Sequence, residues 1–345
     1  MSAERWVVVL AGGVGSRFWP MSTPLRPKQL LPLLSSQPML RDTMDRLAPV
    51  VPGERSLVLT NASLAAAVRE LLPEVPASNV IAEPRPAGTA AALAWAAHEI
   101  ARRAGRDDVM LSVHADWAIG DVPRFRETLA EAADAAARER ALVTVGVVPR
   151  AADTGLGYIE PGALVRGSLR KVALFIEKPD RVRAQALVAA GCLWNSGIFA
   201  WCVGDFLDEL HAHCPEVATA LDAFGDDRDA FFGAVRPIAI DVGVLERSDR
   251  VLVLPGDFGW SDVGTWAALL AVRAADAQGN VPSGSTYLRD THGTVVHADG
   301  PTVVLYGVDD LVVIATNGLT LVTTVERAAD LKALLDALPP DVRDR

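Results

Sequence analysis

Trp6-Val7-Val8-Val9-Leu10-Ala11-Gly12-Gly13-Val14-Gly15-Ser16-Arg17 is the stretch that decides the fold. A short β-branched run closed by glycines reads as a buried strand that empties into a loop. Glycine lets backbone N–H groups come close to a ligand, and aimed N–H groups beside cations make a site for phosphate. Arg17, Arg26 and Lys28 supply the cations, the last two within Arg26-Pro27-Lys28-Gln29. Taken alone the loop leaves several readings open. Gly13-Val14-Gly15 begins a dinucleotide fingerprint, but Phe18 stands where the third glycine belongs, and no Gly-Lys-Ser/Thr of a Walker loop follows. An ordinary strand-to-helix turn accounts for the glycines; it leaves Arg17 and Pro27-Lys28-Gln29 without a purpose. The stretch therefore predicts a phosphate cradle.

Composition narrows the partners. The chain has 345 residues, half of them apolar, enough for one large domain and an appendage. Its net charge of -10 opposes nucleic acid or an anionic membrane as the main partner, so the basic cluster near the N-terminus is local. Cys192, Cys202 and Cys214 show no paired spacing, which predicts a reducing compartment and neither disulfides nor zinc. Neither a leader nor an apolar run long enough to span a bilayer is expected, because Gly12, Gly13, Arg17, His98 and Glu99 interrupt the candidates. A cytoplasmic protein follows.

Strand-like runs alternate with helical patterns through the first half. Strands are expected at 6–10, 56–60, 79–82, 109–113 and 141–147, with helices at 62–72, 89–104 and 124–140. Such alternation predicts an α/β fold with a mostly parallel sheet and ligands at the carboxyl ends of its strands. The segments 12–17, 83–89 and 114–117 should converge there. Strands at 157–159 and 169–176 read as an antiparallel extension. Asp180 should cap a helix to Ala190 that stops at Gly191, and strands 197–202 and 251–254 follow. Beyond Gly279 the chain turns β-branched and turn-rich to Val325, and a last helix is expected over 326–338. The domains are placed at 1–279 and 280–345.

Asp116 follows a strand directly, and Asp262 sits in Phe258-Gly259-Trp260-Ser261-Asp262-Val263-Gly264. Two carboxylates from distant loops suit Mg²⁺ when phosphate oxygens and water complete its shell. Each aspartate alone could equally be a turn former, and Asp262 could cap a helix near Thr265. In Glu177-Lys178-Pro179, Lys178 could reach a phosphate while Glu177 reaches sugar hydroxyls; an exposed strand end is the competing reading. Trp194-Asn195-Ser196-Gly197 suits sugar recognition or a turn. The six histidines form no nucleophile–base arrangement. That fits a transfer whose nucleophile is an already ionised phosphate, for which alignment and charge neutralisation suffice.

Together these segments resemble the sugar-1-phosphate nucleotidyltransferases, specifically the mannose-1-phosphate guanylyltransferases. The carrying motifs are Gly12-Gly13-Val14-Gly15-Ser16-Arg17 with Phe18-Trp19-Pro20-Met21-Ser22, Pro27-Lys28-Gln29, Glu83-Pro84, Thr89-Ala90, Gly155-Leu156-Gly157-Tyr158-Ile159-Glu160, Phe175-Ile176-Glu177-Lys178-Pro179, Trp194-Asn195-Ser196-Gly197 and Trp260-Ser261-Asp262-Val263-Gly264. They keep family order over nearly the whole chain. The resemblance implies a Rossmann-like GT-A domain with a small C-terminal left-handed β-helix-like region. It implies that GTP and mannose 1-phosphate give GDP-mannose and pyrophosphate with Mg²⁺. Arg17, Lys28, Asp116 and Asp262 would be catalytic, the two aspartates holding the metal. Leu10, Ala11, Gly12, Gly13, Gly15, Ser16, Glu83 and Thr89 would bind the nucleotide; Gly157, Glu177, Lys178 and Asn195 would bind the sugar phosphate. The isomerase domain of longer bifunctional relatives is not expected, and the apolar C-terminal strands leave room for a homodimer.

Two places depart from the family pattern. His114-Ala115-Asp116-Trp117 replaces Pro-Ala-Asp-His, and Ala87-Gly88-Thr89 replaces Arg-Asn-Thr or Arg-Asp-Ser. The second bears on base recognition more than on the reaction. The alternatives are another sugar 1-phosphate such as a heptose, another nucleoside triphosphate, or a non-catalytic sugar-nucleotide sensor. The missing third glycine opposes a Rossmann dehydrogenase.

Overall fold

The computed structural model describes residues 4–13 and 16–343, without the Ser16 side chain. Gly15 and that side chain, both expected near the nucleotide, therefore lie outside the described part. The chain forms two compact units. The first gathers Met1–Gly12, Met44–Ala115 and Asp121–Trp260; the second gathers Gly13–Thr43, Asp116–Gly120 and Ser261–Arg345.

The first unit is built on nine strands: β1 Arg5–Leu10, β2 Ser56–Asn61, β3 Val80–Glu83, β4 Val109–His114, β5 Leu142–Val147, β6 Tyr158–Arg166, β7 Leu169–Ile176, β8 Leu193–Cys202 and β9 Val251–Gly256. Their order is β3-β2-β1-β4-β8-β5-β9-β7-β6. β1 lies parallel between β2 and β4, and Val7, Val8 and Val9 have no exposed surface. Burying each such side chain is worth about 1.5–3 kcal/mol, against a strand-propensity range of about 1 kcal/mol. Burial on both faces, more than propensity, puts this run inside the sheet. β2–β3 and β5–β9 are also parallel, whereas β8 runs against both β4 and β5.

The β6–β7 hairpin returns to β8 through Tyr158 opposite Trp194, and β7 pairs with β9. Strands β8, β5, β9, β7 and β6 thus close into a ring around Ile159, Leu193 and Val253. Gly146 is required there, since a Cβ would lie 2.7 Å from Leu193 Cδ1. β6 is longer than the expected strand 157–159, because pairing along β7 carries it to Arg166. Asp180 does cap Arg181–Ala189, through Arg183 N at 2.8 Å, and Gly191 follows at φ +80°. Register places Leu10 beside His114 and Asn61 beside Glu83, so the carboxyl ends of β1 to β4 share one edge.

In the second unit, β10 Val281–Ser283, β12 Val295–Ala298 and β14 Leu311–Ala315 stack in parallel, and β11 Thr286–Arg289 stacks on β13 Val303–Tyr306. β15 Thr320–Thr324 closes the larger sheet antiparallel to β14. The expected helix 326–338 is broken instead. A 3₁₀ turn, Arg327–Ala329, ends at Asp330 in a non-helical conformation, and a helix resumes at Lys332–Ala337. Ala328 and Leu331, on either side of the break, are both buried in the unit's core, so packing overrides local helix preference. Among the described residues no helix is long and apolar enough to cross a membrane.

Candidate active site

Four residues expected to handle phosphate, Arg17, Lys28, Asp116 and Asp262, all belong to the second unit. Each is held by a near neighbour in one apolar core. Phe18 follows Arg17, Leu31 closes the turn begun by Lys28, Ala118 lies two residues past Asp116, and Val263 follows Asp262. The two aspartate loops are tied by an antiparallel bridge, Ala118 N to Ser261 O at 2.9 Å and Ser261 N to Ala118 O at 3.0 Å. Trp266 seals this core, edge-on to Phe18 at 5.1 Å and donating from Nε1 to the Trp19 carbonyl at 3.0 Å.

Lys28 is the centre of the cluster. It is only 7% exposed, and its Nζ donates to Asp116 Oδ2 at 3.0 Å and to the Asp262 main-chain oxygen at 2.5 Å. The Phe18 ring centroid lies 5.8 Å away. A buried ammonium is tolerated only when paired and hydrogen-bonded, and here one carboxylate and one carbonyl do both. Next to it Gln29 donates to the Gly13 carbonyl at 3.3 Å, steadying a glycine at φ +95°. Pro-Lys-Gln thus holds both the aspartate loops and the start of the glycine loop.

Gly264 leaves room for two charged groups. A Cβ there would lie 2.8 Å from Asp262 Oδ2 and 3.2 Å from Arg17 Nη1. Val263 before it is fully buried at φ +47°, a left-handed conformation that costs a β-branched residue on the order of 1–3 kcal/mol. The capping alternative for Asp262 is corrected: Thr265 caps the following turn, its Oγ1 accepting from Ala268 N at 3.3 Å. Trp117, at the position of the family histidine, is buried.

The residues expected on the sugar side, Gly157, Glu177, Lys178 and Asn195, belong to the first unit. β6 and β8 meet here, and Asn195 N donates to the Gly157 carbonyl at 2.8 Å. A Cβ at Gly157 would fall 2.6 Å from Glu177 Oε2, so the bare glycine lets that carboxylate stay where it is. Glu177 Oε1 accepts from Lys178 Nζ at 2.5 Å, and Lys178 takes a left-handed φ of +44°, which turns the chain at the end of β7. Asp241, absent from the sequence expectations, accepts from Asn195 Nδ2 at 2.6 Å. It opens a π-helical turn, Asp241–Leu245, 46 residues from its partner, so no local motif announces it. Burial pushes its carboxyl above the ordinary aspartate value; the Asn195 hydrogen bond pulls it back, and the charge on Glu177 adds to the rise.

Of the residues expected near the nucleotide, Leu10, Ala11, Gly12, Glu83 and Thr89 also lie in the first unit, whereas Gly13 lies in the second. Ala11 continues the sheet past β1, its N–H donating to Leu59 O at 2.8 Å. Burial raises the Glu83 carboxyl to about 7. The Thr89 hydroxyl accepts from Ile240 N at 2.9 Å, so it binds the protein's own backbone. Gly88, at the departure from the family pattern, has φ +82°, and a Cβ there would meet the Ile238 carbonyl at 2.3 Å. The segment leading to Asp241 occupies the space where the family's asparagine or aspartate side chain would begin.

A mostly parallel sheet with polar loops at its carboxyl edge, and a second unit of stacked short strands, define a nucleotide-handling transferase with a β-helix appendage. The Nucleotidyl transferase family profile matches residues 6–279, and the chain belongs to that family. The MannoseP isomerase/GMP-like beta-helix domain profile matches residues 288–338. The chain is 37% identical to a mannose-1-phosphate guanylyltransferase of Escherichia coli, covering 97% of this chain and 74% of that protein. It is 34% identical to the alginate biosynthesis protein AlgA of Pseudomonas aeruginosa, covering 96% and 71%. Among solved structures it is similar to one described as a mannose-1-phosphate geranyltransferase from Thermus thermophilus, at 32% identity and a TM-score of 0.90 over 96% of this chain and 98% of that one.

Proposed function

We propose that this chain transfers GMP from GTP to mannose 1-phosphate, giving GDP-mannose and pyrophosphate. The observation that carries the reading is Lys28, buried and bound at once to Asp116 and to the Asp262 main chain, in the unit that also holds Arg17. In the reaction an oxygen of the sugar phosphate attacks the α-phosphorus, a new P–O bond forms, and the α–β bridging P–O bond breaks to release pyrophosphate. That oxygen is already ionised near neutral pH, so no general base is required. Lys28 and Arg17 neutralise charge that builds on the α-phosphate and on the leaving pyrophosphate. Lys178 holds the phosphate of mannose 1-phosphate, while Glu177, Asn195 and Gly157 orient the sugar.

Asp116 and Asp262 offer oxygen donors only, as a hard divalent cation prefers. Among the described residues no cluster of three or more His, Cys, Asp or Glu stands ready for a metal. Two carboxylates suit Mg²⁺, which commonly keeps water and substrate phosphates in its shell. When bound, Mg²⁺ would supply Lewis-acid neutralisation of the phosphates; the protein's part is to hold Asp116 and Asp262 on their bridged loops.

The test is pyrophosphate release by purified protein across nucleoside triphosphates and sugar 1-phosphates, with and without Mg²⁺. The highest kcat/KM is expected for GTP with mannose 1-phosphate. Release from no pair overturns the assignment. A preference for another triphosphate would trace to the Gly88 position, where Ile238 closes against the nucleoside-side loop.

A further inference from the structure

We infer that Asp241 is a positioning and specificity residue for the sugar: one carboxylate oxygen orients Asn195 and the other receives a hydroxyl of the sugar 1-phosphate. The inference rests on the reading of Glu177 and Asn195 as the sugar side. An asparagine amide can point either way, and its neighbours decide which. Here both faces of Asn195 are set. Nδ2 donates to Asp241 Oδ1 at 2.6 Å, and Oδ1 accepts from Gly197 N at 3.3 Å. The amide therefore turns its acceptor inward and keeps one N–H for a ligand. Besides the Asn195 amide, the hydrogen-bond donor that bears on the Asp241 carboxyl among the described residues is its own main-chain N–H, which leaves acceptor capacity for a ligand hydroxyl.

The segment carrying Asp241 is pinned from the opposite direction. Ile240 N donates to the Thr89 hydroxyl at 2.9 Å, Ala90 N donates to the Ile238 carbonyl at 3.2 Å, and Gly88 packs without a side chain against that carbonyl. The carboxylate is thus fixed before any ligand arrives, as a specificity group must be. The charged groups that bear on it are Glu177 and Lys178, and its own charge is felt by Glu246. Glu177 and Asp241 then stand as two acceptors beside one amide donor, a set suited to a pyranose with adjacent hydroxyls. A carboxylate oxygen left without its hydroxyl also disfavours a sugar that lacks it.

The experiment compares wild type, Asp241→Ala and Asp241→Asn with GTP and with mannose 1-phosphate or its 2-, 3- and 4-deoxy analogues. Asp241→Ala is expected to raise KM for mannose 1-phosphate about tenfold or more, with KM for GTP changed less than about twofold. Asp241→Asn, which keeps an acceptor toward Asn195 Nδ2, is expected to lose less. One deoxy analogue should be strongly penalised by wild type and hardly at all by Asp241→Ala, as a shared contact requires. Equal KM increases for both substrates, or deoxy penalties unchanged in the variant, overturn the inference. If wild type shows no turnover the reaction assignment fails, and calorimetric binding of mannose 1-phosphate still decides: weakening in Asp241→Ala supports the inference, and unaltered or absent binding overturns it.

Discussion

The proposed phosphate side and the proposed sugar side pose different physical problems. In the second unit charge is balanced by charge, with a buried ammonium, two aspartate loops and a guanidinium anchored by Phe18, Ala118, Val263 and Trp266. In the first unit the groups proposed for recognition are set by backbone and amide hydrogen bonds, close glycine contacts and carboxylates raised by burial. A transferring phosphate carries the same charge whatever sugar it joins, so a cluster of fixed charges suffices. Sugars differ by the direction of a hydroxyl, which only placed donors and acceptors can read.

Breaking the charge balance has the largest expected effect. Lys28→Met removes the cation that spans Asp116 and Asp262. The variant is expected to lose about 10²–10³-fold in kcat, measured as pyrophosphate release at saturating substrates. A change confined to KM would remove Lys28 from the chemical step.

A smaller effect is expected on the sugar side, where Gly157→Ala places a methyl 2.6 Å from Glu177 Oε2 and displaces that carboxylate. KM for mannose 1-phosphate should rise by about tenfold, with kcat and KM for GTP nearly unchanged. If kcat falls as steeply as for Lys28→Met, the two sides are not separable in this way.

The smallest expected effect sharpens the comparison through pH. Glu83 titrates at about 7, so it is largely neutral below that and ionised above. Guanine offers N–H donors, which an ionised acceptor holds better, so kcat/KM for GTP should rise about fivefold from pH 6 to 8. Glu83→Gln should flatten the profile, and a profile identical in that variant would rule Glu83 out. The linkage to stability has the opposite sense. The folded carboxyl keeps its proton between about 4.5 and 7 while the unfolded one loses it, so Glu83 makes folding less favourable as pH rises through that window.

Much of this was legible in the chain. β1, β2, β4 and β5 begin and end within about a residue of where alternation and glycine punctuation put them. Asp180 and Gly191 bracket their helix as capping chemistry predicts. The family motifs contain Arg17, Lys28, Asp116, Asp262, Gly157 and Asn195, which the fold assembles into two clusters. The misses share one cause, dependence on partners far away in sequence. Asp241 carries no neighbouring motif, and the break near Asp330 follows from burying Ala328 and Leu331.

The sequence by itself determined the alternating α/β plan, the phosphate-handling residue types and the family, because these rest on periodicity and short-range spacing. Tertiary structure alone decided that Lys28 joins both aspartate loops, that Thr265 takes the capping role, and that Gly88 and Thr89 anchor the segment presenting Asp241. Most of those are contacts between residues tens to hundreds of positions apart. Local pattern holds no information about them, since the packing of a whole unit selects which distant groups can pair.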